Sequence, residues 1–355
     1  MKKRTFLKTG LVLALGLVLT ACGGGGGDTK ESGDKSGKET SDFSAALVTD
    51  LGGVDDKSFN QSAWEGLKEW GEATGREEGV GGFKYYQSDS DADFLPNLNS
   101  AIDDGFNIVF GIGFKLQPAI EEVAKANEDV EFVIIDSEVK DQKNVASVLF
   151  KDHEASYLAG IAAAKATKTG KVGFIGGQEG EVIGRFEAGF VAGVKSVDEK
   201  MEVDVKYAGS FGDAAKGKAI AAAMYQSGID VIFHASGDTG QGVFSEAIDI
   251  MNTNPEDKVW VIGVDRDQEE EGVYNNGNVT LTSTLKGVGT AVKDISEKSE
   301  KGEFPGGDLM VYGLKEGGVD LTDGQLDDVN KDIKPAIDEA REAIIAGEIE
   351  VPDKP

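Results

Sequence analysis

The chain has 355 residues, of which 39% are hydrophobic and 8% aromatic, enough for one or two sizeable cores and too apolar for a disordered polypeptide. Its 36 Lys and Arg face 64 Asp and Glu, a formal net charge of −28. That balance argues against nucleic acid or an anionic membrane face as a partner of the protein surface, since both require basic side chains to displace counterions.

Along the chain, MKKRTFLK is a basic start, TGLVLALGLVLTA a short apolar run, and Leu19-Thr20-Ala21-Cys22 contains the single cysteine. The apolar run is short for a membrane span, and the tetrad resembles a bacterial lipobox, which implies cleavage before Cys22 and lipidation of its thiol. Residues 23–42 hold no large apolar side chain and read as a flexible tether, with a reach of roughly 25 Å.

From residue 43 short β-branched runs alternate with amphipathic stretches. Strands are expected at 43–49, 83–87, 107–113, 131–136 and 144–150, then at 171–177, 202–208, 230–236, 258–265 and 278–284. Helices are expected between them at 59–73, 94–104, 116–127, 154–167, 183–196, 214–227 and 239–252. Such alternation gives parallel sheets covered on both faces, and about ten strands fit two Rossmann-like lobes with a cleft better than one open sheet. The first lobe is expected to span 43–148 plus about 285–305, and the second 149–284 plus about 306–355, with the strand LMVYGL at 309–314 in the second. Ser58 followed by Gln61 reads as a capping box that starts a helix, with Phe59 in its exposed first turn and Ala63, Leu67 and Trp70 on its core face.

In open α/β sheets ligands bind beyond the carboxyl ends of the strands. LVTD, VIID and IGVD place Asp50, Asp136 and Asp265 at such ends, and HASGD places Gly237 and Asp238 there. One such Asp is commonly only a helix cap, but three point to a shared polar site. Phe59, Phe186 in GRFEAGF and Phe211 in GSFGD lie at the same ends, where aromatic faces could sandwich a flat ligand at on the order of 1–3 kcal/mol per stacked base. Carboxylates accept from ring N–H and sugar O–H groups, and Lys286 in TLKG could add a donor.

Other chemistries lack their signatures. GFIGGQEG at 173–180 matches neither GxxxxGK[ST] nor GxGxxG, and the two histidines, His153 and His234, have no metal-site spacing. No nucleophile–base pair or HExxH stands out, although Asp and Lys side chains leave catalysis open at this point; no cofactor or metal is expected.

SFNQSAWEGL, VIIDS, GRFEAGFVAG, GSFGDAAKGKAIA, HASGDTGQGV, VIGVDRDQ and TSTLKGVGTAV follow one another in this order behind the lipobox. Together they resemble the basic-membrane-protein (Bmp/PnrA) family of substrate-binding lipoproteins of ABC transporters, over about residues 43–350. The resemblance implies a type I periplasmic-binding-protein fold and a purine nucleoside ligand. It implies Asp50, Phe59, Asn60 and Asp136 as ligand residues of the first lobe, and Phe186, Phe211, Gly237 and Asp265 as those of the second, with Lys286 near the crossing. Phe59 then faces the cleft with Asn60 bonding an edge of the base, and either Phe186 or Phe211 is its stacking partner. The implied protein is a lipid-anchored extracytoplasmic monomer serving an ABC permease and its ATPase. The alternatives are a sugar or autoinducer receptor on the same fold, with Arg185 and Arg266 beside the site, a lipid-anchored nucleoside hydrolase or phosphorylase, and a sensory or adhesive lipoprotein.

Overall fold

A computed structural model describes residues 42–355; the lipobox, Cys22 and nearly all of the tether lie outside the described residues. The apolar runs become strands because they can be covered on both faces: β1 (Ala45–Val48) and β3 (Ile108–Ile112) are buried at every position, as are β4 (Glu131–Ile135) after its first residue and β5 (Val145–Phe150) apart from Leu149. With β2 (Phe83–Tyr86) and β13 (Leu309–Tyr312) they form a parallel sheet in the order β13-β5-β4-β3-β1-β2. The second sheet runs β14-β12-β9-β8-β6-β7, built from β6 (Lys171–Gly176), β7 (Glu202–Tyr207), β8 (Val231–Ala235), β9 (Trp260–Gly263), β12 (Thr280–Lys286) and β14 (Val319–Leu321). Only β14 is antiparallel to its neighbour there, and β10 (Val273–Tyr274) and β11 (Gly277–Asn278) make a small separate hairpin.

Helices α1 (Phe59–Thr74), α2 (Phe94–Asp103) and α3 (Gln117–Ala126) accompany the first sheet. Helices α5 (Glu181–Val197), α6 (Ala214–Gln226) and α7 (Thr239–Thr253) accompany the second. The chain leaves the first sheet after Phe150 into α4 (Asp152–Ala166), which packs on α5 and is buried almost all round. Glycines allow that crossing: a Cβ on Gly193 would run into the Tyr157 carbonyl, and one on Gly160 into that of Phe190. After Lys286 the chain returns to the first lobe through α8 (Val288–Glu300), which meets α1 where Gly66 faces Gly289.

The sequence places Leu309–Tyr312 in the second lobe; the structure places it in the first sheet. Its residues pair with Ser147 to Phe150 of β5, and the chain then crosses a third time to β14. The physical reason is partner availability. The free side of β5 takes a parallel strand through Ser147 N–H to Asp308 C=O and Lys151 N–H to Tyr312 C=O, while β14 occupies the corresponding side of β12. The chain ends in α9 (Leu326–Val329) and α10 (Ile333–Ala346), the latter packed on α4.

Candidate functional site

The carboxyl ends of β1, β4, β8 and β9 converge on one cavity, where ligands of open α/β sheets are bound. Asp136 follows β4 and Asp265 follows β9, matching positions in the two sheets, and both adopt left-handed backbone, φ 65° and 69°. For a non-glycine residue that conformation costs on the order of 1 kcal/mol, and here it belongs to two carboxyl groups that line the cavity.

The start of α1 is organised by Asp56, which the sequence reading missed. Its carboxylate accepts from the backbone N–H groups of Ser58 (2.8 Å), Asn60 (2.9 Å) and Gln61 (3.1 Å), the orphan donors of the first turn. The expected Ser58–Gln61 capping box does not form. Ser58 makes no side-chain cap; its hydroxyl donates instead to the Asp265 carboxylate of the opposite lobe, while Gln61 Oε1 accepts from Lys57 N–H. Asp56 already serves the first-turn donors, which frees Ser58 for a charged acceptor, and hydrogen bonds to charged groups are the stronger kind. Asn60 is likewise committed internally: Nδ2 donates to Asp50 Oδ1 (2.6 Å) and Asp56 Oδ2 (3.0 Å), and Oδ1 accepts from Asp50 N–H (3.1 Å). The expectation that Asn60 bonds a base edge therefore meets an amide with both donors spent, whose visible role is to hold Asp50 against Asp56.

Lys286, at the end of β12, is the cation of the site. Its ammonium lies 2.6 Å from Asp136 Oδ2 and 3.1 Å from Asp152 Oδ1, and Asp152 also meets Arg185 at 3.2 Å. Burial works against the Lys286 ammonium, yet Asp136, Asp152 and Asp265 outweigh it and hold its pKa above the ordinary lysine range. Burial drives Asp136 upward against the pull of Lys286, lifts Asp50 to about 6 against its bond from Asn60, and lifts Asp265 to about 7 against Lys286. Burial raises Asp56 as well, although Asn60, Gln61 and Ser58 donate to it. Asp136 Oδ1 is buried with no hydrogen-bond partner in the protein, an acceptor left over at the cavity wall.

Aromatic rings enclose this charge. Lys286 Nζ is 5.1 Å from the Phe59 ring centre, 5.2 Å from that of Phe150 and 5.5 Å from that of Phe186, a threefold cation–π contact. Phe211 lies against Gly177, where any Cβ would strike its ring, and meets Phe114 of the first lobe edge-on at 6.4 Å. Gly237, at φ 58°, brings its backbone close under the Phe211 carbonyl. All nine residues expected at the site, Asp50, Phe59, Asn60, Asp136, Phe186, Phe211, Gly237, Asp265 and Lys286, line this one cavity.

Residues 43–355 match the family model described as ABC transporter substrate-binding protein PnrA-like, named Bmp. The chain belongs to the Bmp family. Among its relatives, a protein of Lactococcus lactis subsp. cremoris named ABC transporter nucleoside-binding protein BmpA is 52% identical over the full length of both chains. A CD4+ T-cell-stimulating antigen of Listeria innocua is 50% identical, again over both full lengths. Basic membrane protein A of Borreliella afzelii is 35% identical over 80% of this chain and 84% of its own. An ABC transporter solute-binding protein of Aeropyrum pernix K1 has the same fold, with a TM-score of 0.77 and 26% identity over 87% of this chain and 92% of that one. The Bmp chain is thus an α/β protein of the periplasmic-binding-protein type and a substrate-binding protein of ABC transporters.

Besides Asp56, the reading of this Bmp sequence missed Phe114, Val182, Ile183 and Ser236 on the cavity wall, and Asp152 behind Lys286. Phe114 and Ser236 carried a usable signal, since both stand just past the apolar residues of a strand, where ligands gather. Val182 and Ile183 look in sequence like any apolar pair on α5, and Asp152 like an ordinary first-turn acid.

Proposed function

We propose that this protein is a lipid-anchored extracytoplasmic receptor that closes two lobes over a purine nucleoside and delivers it to an ABC permease and its ATPase. It acts as a monomer and performs no chemistry on the ligand. The carrying observation is the composition of the cavity: aromatic faces beside several carboxylate acceptors, with the one lysine already neutralised by Asp136 and Asp152. A flat, uncharged molecule rich in N–H and O–H donors fits that wall. A nucleoside has a base to stack on Phe59, with Phe186 or Phe211 opposite, and hydroxyls to give to Asp136 and Asp265 while Lys286 donates back. A phosphate does not fit, because Asp50, Asp56, Asp136 and Asp265 would repel it in a buried setting. The Lactococcus relative's name supports the same ligand class. Ligand contacts from both lobes would stabilise the closed form by their differential affinity, which is the signal a permease can read.

Calorimetric titration against inosine, guanosine, adenosine, their free bases, their 5′-monophosphates and pentoses tests this reading. Saturable binding of nucleosides, weak or absent binding of bases and monophosphates, and no release of base from bound nucleoside are expected. Preferential binding of a sugar, or turnover of inosine, would overturn it.

A further inference from the structure

One buried polar chain runs from the cavity to the opposite lobe, and none of the site residues above accounts for it. Gln268, on the loop after β9, accepts at Oε1 from Val264 N–H (2.8 Å) and donates through Nε2 to the backbone carbonyl of Lys57 (2.8 Å), on the loop that leads into α1. Those two bonds fix which end of the amide is oxygen. His234 Nε2 lies 3.1 Å from the same Oε1, so it must carry the proton and Nδ1 must be bare. Burial holds the His234 pKa down at about 4, against its bond to Gln268, so the ring is neutral and has one proton to place. Ser236 Oγ, 3.4 Å from Nδ1, then points its own hydrogen at the ring and keeps its lone pairs as acceptors, on a residue that lines the cavity.

The chain is built into the fold. His234, Ser236 and Gln268 are each at most 1% exposed. Room for them depends on two glycines: a Cβ on Gly240 would run into the His234 ring, and one on Gly263 would press on Gln268 Oε1 and Ser283 Oγ, which in turn accepts from Gln268 N–H at 3.1 Å. The Gln268–Lys57 bond spans 211 residues of sequence and joins a loop of the second sheet to one of the first.

We propose that Gln268 is an inter-lobe latch and that, through His234, it holds Ser236 as an acceptor for a donor group of the ligand. Closure and ligand reading then share one hydrogen-bond chain: the Gln268–Lys57 bond orients the amide, the amide sets the His234 tautomer, and the tautomer sets the direction of Ser236 O–H. The Ser236 half of the proposal rests on the nucleoside reading; the latch half does not.

The test uses the purified full-length protein and two substitutions, Gln268→Met and Ser236→Ala. Gln268→Met keeps the length of the side chain and removes both ends of the amide. In solution X-ray scattering without ligand it should be a more open particle than the parent, and its inosine affinity should fall about tenfold, the effect of one buried hydrogen bond. Ser236→Ala should weaken inosine binding without opening the free protein, and in the double variant the two losses should not multiply, since both break one chain. Unchanged scattering and unchanged affinity in Gln268→Met, with or without lower stability, would show a purely structural amide and overturn the latch. Fully multiplying losses would overturn the coupling to Ser236. If Gln268→Met does not fold, Gln268→Asn, one methylene too short to span Val264 and Lys57, takes the same readouts. If the parent binds no nucleoside, the functional reading fails on its own and the scattering of the free protein still decides the latch.

Discussion

Replacing Lys286 by methionine keeps most of its stem and removes the charge that Asp136 pairs with, leaving Arg185 as the cation on Asp152. In the parent the ammonium lies 2.6 Å from Asp136 and 3.1 Å from Asp152, with side chains no more than 4% exposed. Removing one partner of such a cluster leaves uncompensated buried charge and costs about 3–5 kcal/mol. The cost should depend on pH in a fixed direction. Asp136 and Asp265 already have folded-state pKa values raised by burial, against the pull of Lys286, and without it they rise further. An acid whose folded pKa exceeds its unfolded value destabilises the fold little below the unfolded pKa, near 3.9. The penalty grows as pH rises through the folded pKa, by about 1.4 kcal/mol for each unit between the two. The lysine's own raised pKa adds nothing to this slope, because it lies above the window. Urea unfolding of parent and Lys286→Met at pH 5 and pH 8 should therefore show a deficit that is smaller in acid and reaches the full 3–5 kcal/mol at pH 8. A deficit below about 1 kcal/mol, or one equal at both pH values, would show that the acids are neutralised by other means.

Phe59→Ala should weaken nucleoside binding by about 1–3 kcal/mol at little cost to the fold, because the ring stands half-buried in the first turn of α1 while Ala63, Leu67 and Trp70 carry its core face; unchanged affinity with lost stability in denaturant would make Phe59 a packing residue. Donors on a bound ligand favour the ionised forms of Asp50 and Asp265, whose pKa values of about 6 and 7 should fall on binding, so that protons are released near pH 6.5 and affinity rises with pH through that range. Titration in buffers of different ionisation enthalpy measures this, and proton uptake would contradict it. Gly66→Leu should drive α1 from α8 and destabilise the protein by several kcal/mol, as seen in thermal unfolding; a melting temperature equal to the parent's would mean that the helices part without cost. Cys22→Ala should leave ligand binding intact and remove the protein from the membrane fraction or leave it unprocessed, whereas normal lipid labelling of the variant would dispose of the anchor.

Much of this protein is written locally. The continuous apolar runs and the helical stretches between them are enough to mark most strands of the two sheets, though not β14 or the sheet that β13 joins, because a segment buried on both faces is apolar along its length wherever it ends up. The acids at strand ends are legible for the same reason: Asp50, Asp136 and Asp265 each follow the last apolar residue, and in a parallel sheet that end is where ligands approach. What the sequence could not decide is which partner each group takes when several compete. Ser58 reads as a cap from its own neighbourhood, yet its hydroxyl goes to Asp265, 207 residues away, because Asp56 serves the helix start. Asn60 reads as a ligand group, and its amide is consumed by two carboxylates that only folding brings together. Leu309–Tyr312 has the same pattern as a strand of either sheet, and the open side of β5 claims it. Hydrogen bonds and edge pairings form with whichever partner is nearest in space, and the free energy of each alternative includes desolvation set by the whole packed molecule. The strands and their polar ends are therefore properties of the sequence, while the assignment of Lys286 to Asp136 and Asp152, and of Gln268 to Lys57, exists only in the tertiary structure.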